Sequence, residues 1–314
     1  MRLISDPRLV CAVDIGSNSV KTIIGTHGQV LHEDVVQTRL GIGVDGSGLL
    51  NATAISDTVA ALALFSSLAD KYGATERCAV ATSAVRDAKN AASVVSEFTA
   101  AFNGPVRVIG GDEEAALVYA AAVMDPEFSQ LIRGTVVATD VGGGSTEVII
   151  GHSGVMQQHS SLQIGAVRLS DRHNLLGNDP INQYTLTNLD DDIWQHCQEL
   201  PRVATDTFVI SSGGTAANIG GGILGKKRHK LHGLPVSIDQ IRVLRAHLAG
   251  MDLEARQKVP GINPRRADVI IAGLSIQLGI MEVMGCERLL ISLCGLRYGL
   301  YWRLLEGLKD GLDL

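Results

Sequence analysis

Apolar and polar positions come in short bursts at the start of the chain. "LVCAVDI" (Leu9–Ile15) is a run rich in β-branched residues, "GSNS" (Gly16–Ser19) is a cluster of turn formers, and "VKTIIG" (Val20–Gly25) resumes the run. The pattern predicts strand, turn and strand. "HGQVLHEDVVQTRL" (His27–Leu40) predicts a third strand after a turn. From Asn51 to Lys71 the period lengthens, and Ala54, Val59, Leu62, Leu64, Phe65 and Leu68 form a helical stripe. "RCAVATSAVRDAKN" returns to a strand, "ASVVSEFTAAF" to a helix and "VRVIG" to a strand. "GDEEAALVYAAAVM" (Gly111–Met124) predicts a helix whose first turn carries three acids, which suits the helix dipole.

The second half repeats this plan. Arg133 to Gly165 reads as strand, Gly-rich turn, strand, turn, strand, and a helical stretch covers Leu186 to Leu200. "DTFVISSGGTAANIGG" reads as strand, Gly-rich turn and helix start. "ADVIIAGLSIQLGIMEVMG" (Ala267–Gly285) is the most apolar long stretch; Asp268, Gln277 and Glu282 interrupt it, so it reads as a buried helix rather than a membrane span. A strand, "RLLISLCG", and a helix, "LRYGLYWRLLEGLK", close the chain.

The repetition is literal in one place. "AVDIGSNSVKTIIG" (Ala12–Gly25) and "ATDVGGGSTEVIIG" (Ala138–Gly151) agree at seven of fourteen positions at an offset of 126 residues. Two copies at that spacing predict two related domains rather than a solenoid. Turn formers between Asp125 and Gly134 place the boundary, giving domains 1–131 and 132–314.

Composition narrows the classes. Apolar residues make up 46% and charged residues 19%, enough for a core in each half. A net charge of −6 with only 4% aromatics disfavours nucleic-acid binding by stacking or a broad cationic face. Cys11, Cys78, Cys197, Cys286 and Cys294 are odd in number and contain no C-x-x-C pair, as expected for reduced thiols in a cytoplasmic protein. The first residues, "MRLISDPRLV", lack the apolar core of a signal peptide.

The repeated turns carry the candidate chemistry. Backbone N–H groups in glycine-rich turns aim at anions, and small side chains let a phosphate approach. Each first strand also ends in an acid, Asp14 or Asp140, and Glu147 lies close to the second. A strand-end Asp often only caps a turn. Beside a phosphate-binding turn, carboxylates make sense with a bridging hard cation: Mg²⁺, with Mn²⁺ as the alternative. "GGDEEA" gathers Asp112, Glu113 and Glu114 at a helix start, where crowded carboxylates would hold a proton more tightly and make a better base.

Duplicated D-x-G-x-x-S turns resemble the actin-like ATPase superfamily. Within it the chain resembles the exopolyphosphatase / guanosine pentaphosphate phosphohydrolase family, in its short form without a C-terminal HD-type region. "AVDIGSNSVKTIIG", "ATSAVRDAKN", "VIGGDEEAALVYAAAV", "TDVGGGSTEVIIG", "SLQIGAVRL", "SSGGTAANI", "HGLPVS" and "RRADVIIAGLSI" occur in the family's order and cover nearly the whole chain. The resemblance implies an α/β fold of two actin-like (ribonuclease H-like) domains with an interdomain cleft. It implies Glu114 as catalytic base and Arg86 facing phosphates. It implies phosphate binding by Gly16, Ser17, Asn18, Ser19, Gly142, Gly143, Gly144 and Ser145, with Gly213, Gly214 and Thr215 as a further loop. Asp140 and Glu147, with Asp14, would serve the metal. The substrate would be inorganic polyphosphate or guanosine pentaphosphate, with no nucleic acid or membrane as partner and a homodimer among the assemblies allowed. Tyr298 in "SLCGLRYG" departs from the family's acid at that position.

Two other functions fit the same superfold: an ATP-dependent small-molecule kinase, and a non-catalytic sensor of an alarmone or polyphosphate. Lys226, Lys227, Arg228 and Lys230 lie in "GKKRHKLHG", directly after the third Gly-rich segment. A solvated loop is the plain reading of that run. A cationic strip near the mouth of the site would hold an extended polyanion better than a compact nucleotide, which ranks polyphosphate first.

Overall fold

A computed structural model describes residues 8–204 and 207–307. The segment read above as lacking a signal peptide falls partly on residues 1–7, outside the described residues. The chain divides into two compact units, residues 1–117 with 296–314, and residues 118–295. The sequence boundary at 131/132 follows turn formers, whereas this division follows packing. It falls inside a helix and returns the last helix to the first unit.

The first unit begins with the expected strands, β1 (Val10–Ile15), β2 (Ser19–Thr26) and β3 (Gln29–Gln37). A short α1 (Val44–Ser47), α2 (Ala52–Tyr72), β4 (Glu76–Ala81), α3 (Ser83–Arg86), α4 (Ala91–Phe102) and β5 (Val106–Val108) follow. Then comes α5 (Gly111–Val123), within which the units divide. The sheet order is β3-β2-β1-β4-β5, with β1 antiparallel to β2 and parallel to β4. Strand β1 is buried along its whole length, which its apolar run requires. Helix α2 is long and apolar enough to cross a membrane by length and composition. Its Ala54, Ala61, Leu62, Phe65 and Ala69 join Phe98 and Phe102 of α4 in the core of this unit.

The second unit repeats the order. Its elements are β6 (Thr135–Val141), β7 (Thr146–His152), β8 (Val155–Leu162), α6 (Ala166–Arg172), α7 (Gln183–Cys197), β9 (Val209–Ser212), α8 (Gly213–Leu224), β10 (Pro235–Ser237), α9 (Ile238–Ala249), α10 (Leu253–Gln257), α11 (Ile270–Met284) and β11 (Arg288–Ile291). The order β10-β11-β9-β6-β7-β8 is the first sheet's arrangement with one added edge strand. The two sheets thus share the doubled α/β plan expected of actin-like domains. Helix α11 is the buried helix expected from its apolar run, and its Gln277 is fully buried. Gln277 is satisfied in part because its amide oxygen accepts from Ser211 Oγ at 2.8 Å and Thr139 Oγ1 at 3.3 Å.

The last helix, α12 (Leu296–Glu306), packs on β1 and β2. Its Tyr301 explains one half of the sequence repeat. A Cβ at Gly25 would lie 2.7 Å from the Tyr301 hydroxyl, and one at Gly151 would lie 1.8 Å from the Tyr119 hydroxyl. Strand register also shifts at both glycines. The phrase "IIG" recurs because each hairpin bulges at its glycine to admit a tyrosine from a packed helix.

Candidate active site

The two Gly-rich turns are built alike. Gly16 N–H donates to the Ser19 carbonyl at 3.1 Å, and Gly142 N–H to the Ser145 carbonyl at 3.0 Å. Other carbonyls in these turns are consumed from one side. The Ser17 and Asn18 carbonyls accept from the amides of Gly41, Thr38 and Arg39, while the Gly142 and Gly143 carbonyls accept from those of Ala166, Val167 and Arg168. Among the described residues, the amides of Ser17, Asn18, Gly143 and Gly144 donate to no protein acceptor. A turn with spent carbonyls and unspent amides presents positive charge to an anion. Asn18 Nδ2 is likewise buried without a partner, while its Oδ1 accepts from Gln37 Nε2.

The acids beside these turns are not equivalent. Asp14 pairs in register with Lys21, and Lys21 Nζ donates to its carboxylate at 2.6 Å. Asp140 pairs in register with Glu147, so two carboxylates share one face of the second hairpin. Glu147 is buried and accepts from Ser161 Oγ at 3.0 Å. Space around Asp140 is kept by glycine: a Cβ at Gly213 would stand 2.3 Å from its Oδ1, and one at Gly295 3.2 Å from its Oδ2. Two hard oxygen donors on one face fit a divalent cation. Asp14 fits less well, because a cation there must compete with an ammonium already in contact.

Glu114 sits in the first turn of α5 and is 6% exposed. Arg86, at the end of α3, donates from NH1 to Glu114 Oε2 and to the Ile109 carbonyl, both at 3.0 Å. Beside the acids of "GGDEEA", Glu114 also meets a cation. Glu113 turns to Arg107 at 2.9 Å, and Glu114 pairs with Arg86. A guanidinium there favours the ionised carboxylate that a base needs. Arg86 NH2 is buried and has no protein partner. Asn90, which shares the Arg86 motif, bridges the Leu50 backbone through Oδ1 and Nδ2 and is structural.

The third Gly-rich segment contains no loop. Strand β9 runs straight into α8, with Gly213 at φ 83° as the first helical residue. Thr215 spends its hydroxyl on the Val141 carbonyl at 3.0 Å and so ties the helix start to the end of β6. At Gly214 a Cβ would lie 2.1 Å from the guanidinium of Arg266. Arg266 comes from the "NPRRAD" segment, 52 residues further along the chain than Gly214. Its position over a helix N-terminus depends on the fold of the "NPRRAD" segment and had no local signal. Lys226, Lys227, Arg228 and Lys230 are exposed and follow the other end of α8. The helix therefore separates them from Gly213 by about 18 Å of rise.

Tyr298 is accounted for within the first unit. Its hydroxyl donates to Glu33 Oε1 at 3.0 Å, beside Arg297, which binds the same carboxylate and the carbonyls of Thr22 and Asp34. The residue braces α12 against β3.

The profile of the Ppx/GppA phosphatase family matches residues 11–307. The chain belongs to the Ppx/GppA phosphatase family. Among Ppx/GppA relatives, it is 28% identical to a guanosine-5'-triphosphate,3'-diphosphate pyrophosphatase of Vibrio cholerae, over 98% of this chain and 61% of that one. It therefore spans less than two thirds of that relative's length. It is 26% identical to exopolyphosphatase 1 of Mycobacterium tuberculosis, over 96% of this chain and 90% of the relative. A crystal structure of the Aquifex aeolicus family member superposes with a TM-score of 0.78 at 26% identity, covering 98% of this chain and all of that one. The doubled sheet described above is therefore the Ppx/GppA fold.

Proposed function

We propose that the protein hydrolyses phosphoanhydride bonds, releasing terminal phosphate from inorganic polyphosphate and, less readily, from guanosine pentaphosphate. The observation that carries this reading is the Arg86–Glu114 pair. A buried carboxylate is paired with a guanidinium whose other terminal nitrogen has no protein partner. Glu114 takes the proton of a water attacking the terminal phosphorus. Arg86 keeps that carboxylate oriented and offers NH2 to the phosphoryl oxygens. The amides of the Gly16–Ser19 and Gly142–Ser145 turns bind phosphate oxygens. The curated relatives bear the names of enzymes acting on such substrates.

Asp140 and Glu147 would hold a divalent cation, Mg²⁺ or Mn²⁺. Bound there, it would neutralise phosphate charge and polarise phosphoryl oxygens. Asp14 and Lys21 form a neutral pair that flanks the first turn. A kinase reading is less favoured, because Glu114 lies in an Arg-paired acidic helix start suited to water as acceptor. Lys226, Lys227, Arg228 and Lys230 stand a helix length from Gly213, a distance that an extended polyanion spans and a nucleotide does not.

Phosphate release measured side by side on polyphosphate, guanosine pentaphosphate and ATP, with no acceptor and with or without chelator, tests the reading. Metal-dependent release from polyphosphate is expected. Turnover that needs an added hydroxyl acceptor would identify a kinase, and binding without turnover a sensor. Replacing Lys226, Lys227 and Lys230 by Ala should raise KM for polyphosphate more than for the nucleotide. Equal effects would leave the run as ordinary surface.

A further inference from the structure

Within the second unit, Asp125, His232 and Cys294 bring a carboxylate, an imidazole and a thiol within 4.8 Å of one another. The set resembles a metal site, but the imidazole is committed otherwise. Leu293 N–H donates to His232 Nδ1 at 3.2 Å, so that nitrogen carries the lone pair and the proton is on Nε2. Nε2 faces both oxygens of Asp125, at 3.4 and 3.2 Å. A metal on Nε2 would force the proton onto Nδ1, against the Leu293 N–H. The cluster is a hydrogen-bonded strut.

The strut ends near the candidate metal carboxylate. Asp125 is 5% exposed and is anchored by the Glu127 amide at 3.1 Å. Its burial favours the neutral acid, but the bonds from His232 and the Glu127 amide outweigh that and hold the carboxyl below its ordinary range. His232 stacks near Phe128, with ring centroids 5.2 Å apart, and Gly233 N–H binds the Ile291 carbonyl at 2.9 Å. From there the loop Ser292–Gly295 is pinned at three points. Ser292 N–H binds the Ser211 carbonyl at 2.7 Å, Ser292 Oγ accepts from Cys294 N–H at 3.1 Å, and Leu293 N–H binds His232. Gly295 then stands against Asp140, where a Cβ would come within 3.2 Å of Oδ2 and 3.3 Å of Ser212 Oγ.

We propose that His232 is a positioning residue: braced by buried Asp125, it fixes the Leu293–Gly295 loop against Asp140 and thereby sets the cation affinity of the Asp140–Glu147 pair. The proposal rests on the reading of that pair as the cation site. Partners that orient metal ligands from one shell out are worth about 10–100-fold in affinity.

Two substitutions separate the two nitrogens. His232→Asn places an amide oxygen where Nδ1 was and keeps the acceptor for Leu293. His232→Gln places an amide N–H where Nε2 was and keeps the bond to Asp125, so the fold retains its buried anchor while the loop loses its tether. Full-length, metal-free protein is titrated with Mg²⁺ by calorimetry without substrate, and amide exchange is followed at Leu293–Gly295. His232→Gln should speed exchange in that loop, weaken Mg²⁺ binding by about 10-fold or more, and raise the Mg²⁺ needed for half-maximal phosphate release with KM for polyphosphate unchanged. His232→Asn, which keeps the acceptor for Leu293 but loses the Asp125 brace, should fall between His232→Gln and the wild type in both exchange and affinity. Mg²⁺ affinity lost in Asp140→Ala but unchanged in His232→Gln overturns this proposal alone. Affinity unchanged in Asp140→Ala overturns the cation reading, and this proposal with it. Stoichiometric Zn²⁺ retained by the wild type and lost in Cys294→Ser would make the cluster a metal site and overturn the strut.

Discussion

The two hairpins share a fold and half their residues, yet they carry opposite electrostatics. At matching register positions the first sets Asp14 against Lys21 and the second sets Asp140 against Glu147. One pair sets an acid against a base; the other sets two acids side by side. The two turns are built alike, and the lysine of one copy stands where the other has a glutamate, the difference behind the cation site proposed above. The proposed base and its partner, Glu114 and Arg86, belong to the first unit, and the Asp140–Glu147 pair to the second.

The largest expected effect tests that division. Glu114→Gln should cut kcat by about 10²–10⁴-fold, the usual worth of a general base, while calorimetric Mg²⁺ binding stays at the wild-type value. A variant that keeps half its rate would remove Glu114 from the mechanism.

Next, Glu147→Lys copies the first hairpin into the second. Asp140 should then pair with the new ammonium as Asp14 does with Lys21. Cation affinity should fall by at least about 10–100-fold, the loss known for outer partners alone, with the circular dichroism spectrum unchanged. Retained affinity would mean that the two hairpins are not distinguished by this pair.

The reverse change, Lys21→Met, leaves the buried Asp14 carboxylate without its cation. Unfolding free energy from urea titration should drop by about 1–3 kcal/mol, the cost of an unsatisfied buried acceptor, and kcat should change less than in Glu114→Gln. A wild-type midpoint would show that Asp14 is held by something other than Lys21.

The smallest effect compares the two cores by pH. Burial pushes the thiol of Cys11 in the first unit up to about 11, and those of Cys197 and Cys286 in the second up to about 12 and about 11. A raised folded-state value means that the contribution is complete below the unfolded thiol range and is lost as pH rises through it. Stability should therefore begin to fall above about pH 9, by about 1.4 kcal/mol per pH unit for each ionising thiol. Cys197→Ala and Cys286→Ala should flatten the decline more than Cys11→Ala alone. A flat profile to pH 11 would argue against neutral buried thiols in either core.

Much of this was legible in the chain itself. The strand–turn–strand phrases, the stripe on α2, the buried α11 and the acidic start of α5 follow from periodicities of two and 3.6 that a few neighbouring residues specify. The repeated turn, and with it the family, was legible because a glycine-rich turn between two strands is a local object. What could not be read were choices of partner. Glu114 pairs with Arg86 and Glu113 with Arg107, partners that come from elsewhere in the chain. The lysine run lies far from Gly213 because the glycines open a full helix and not a loop.

Hydrophobic period, turn chemistry and duplication by themselves determined two α/β units, each with a glycine turn beside an acid. Only tertiary structure decided that Asp14 is paired with Lys21 while Asp140 stands beside Glu147, and that α12 returns to the first sheet to set Tyr301 on Gly25. It alone placed His232 under Leu293, 61 residues along the chain. The reason is physical: secondary structure depends on short-range sterics and local hydrogen bonds, whereas the state of a carboxylate or an imidazole depends on the few ångströms around it, filled by residues that the chain brings in from far away.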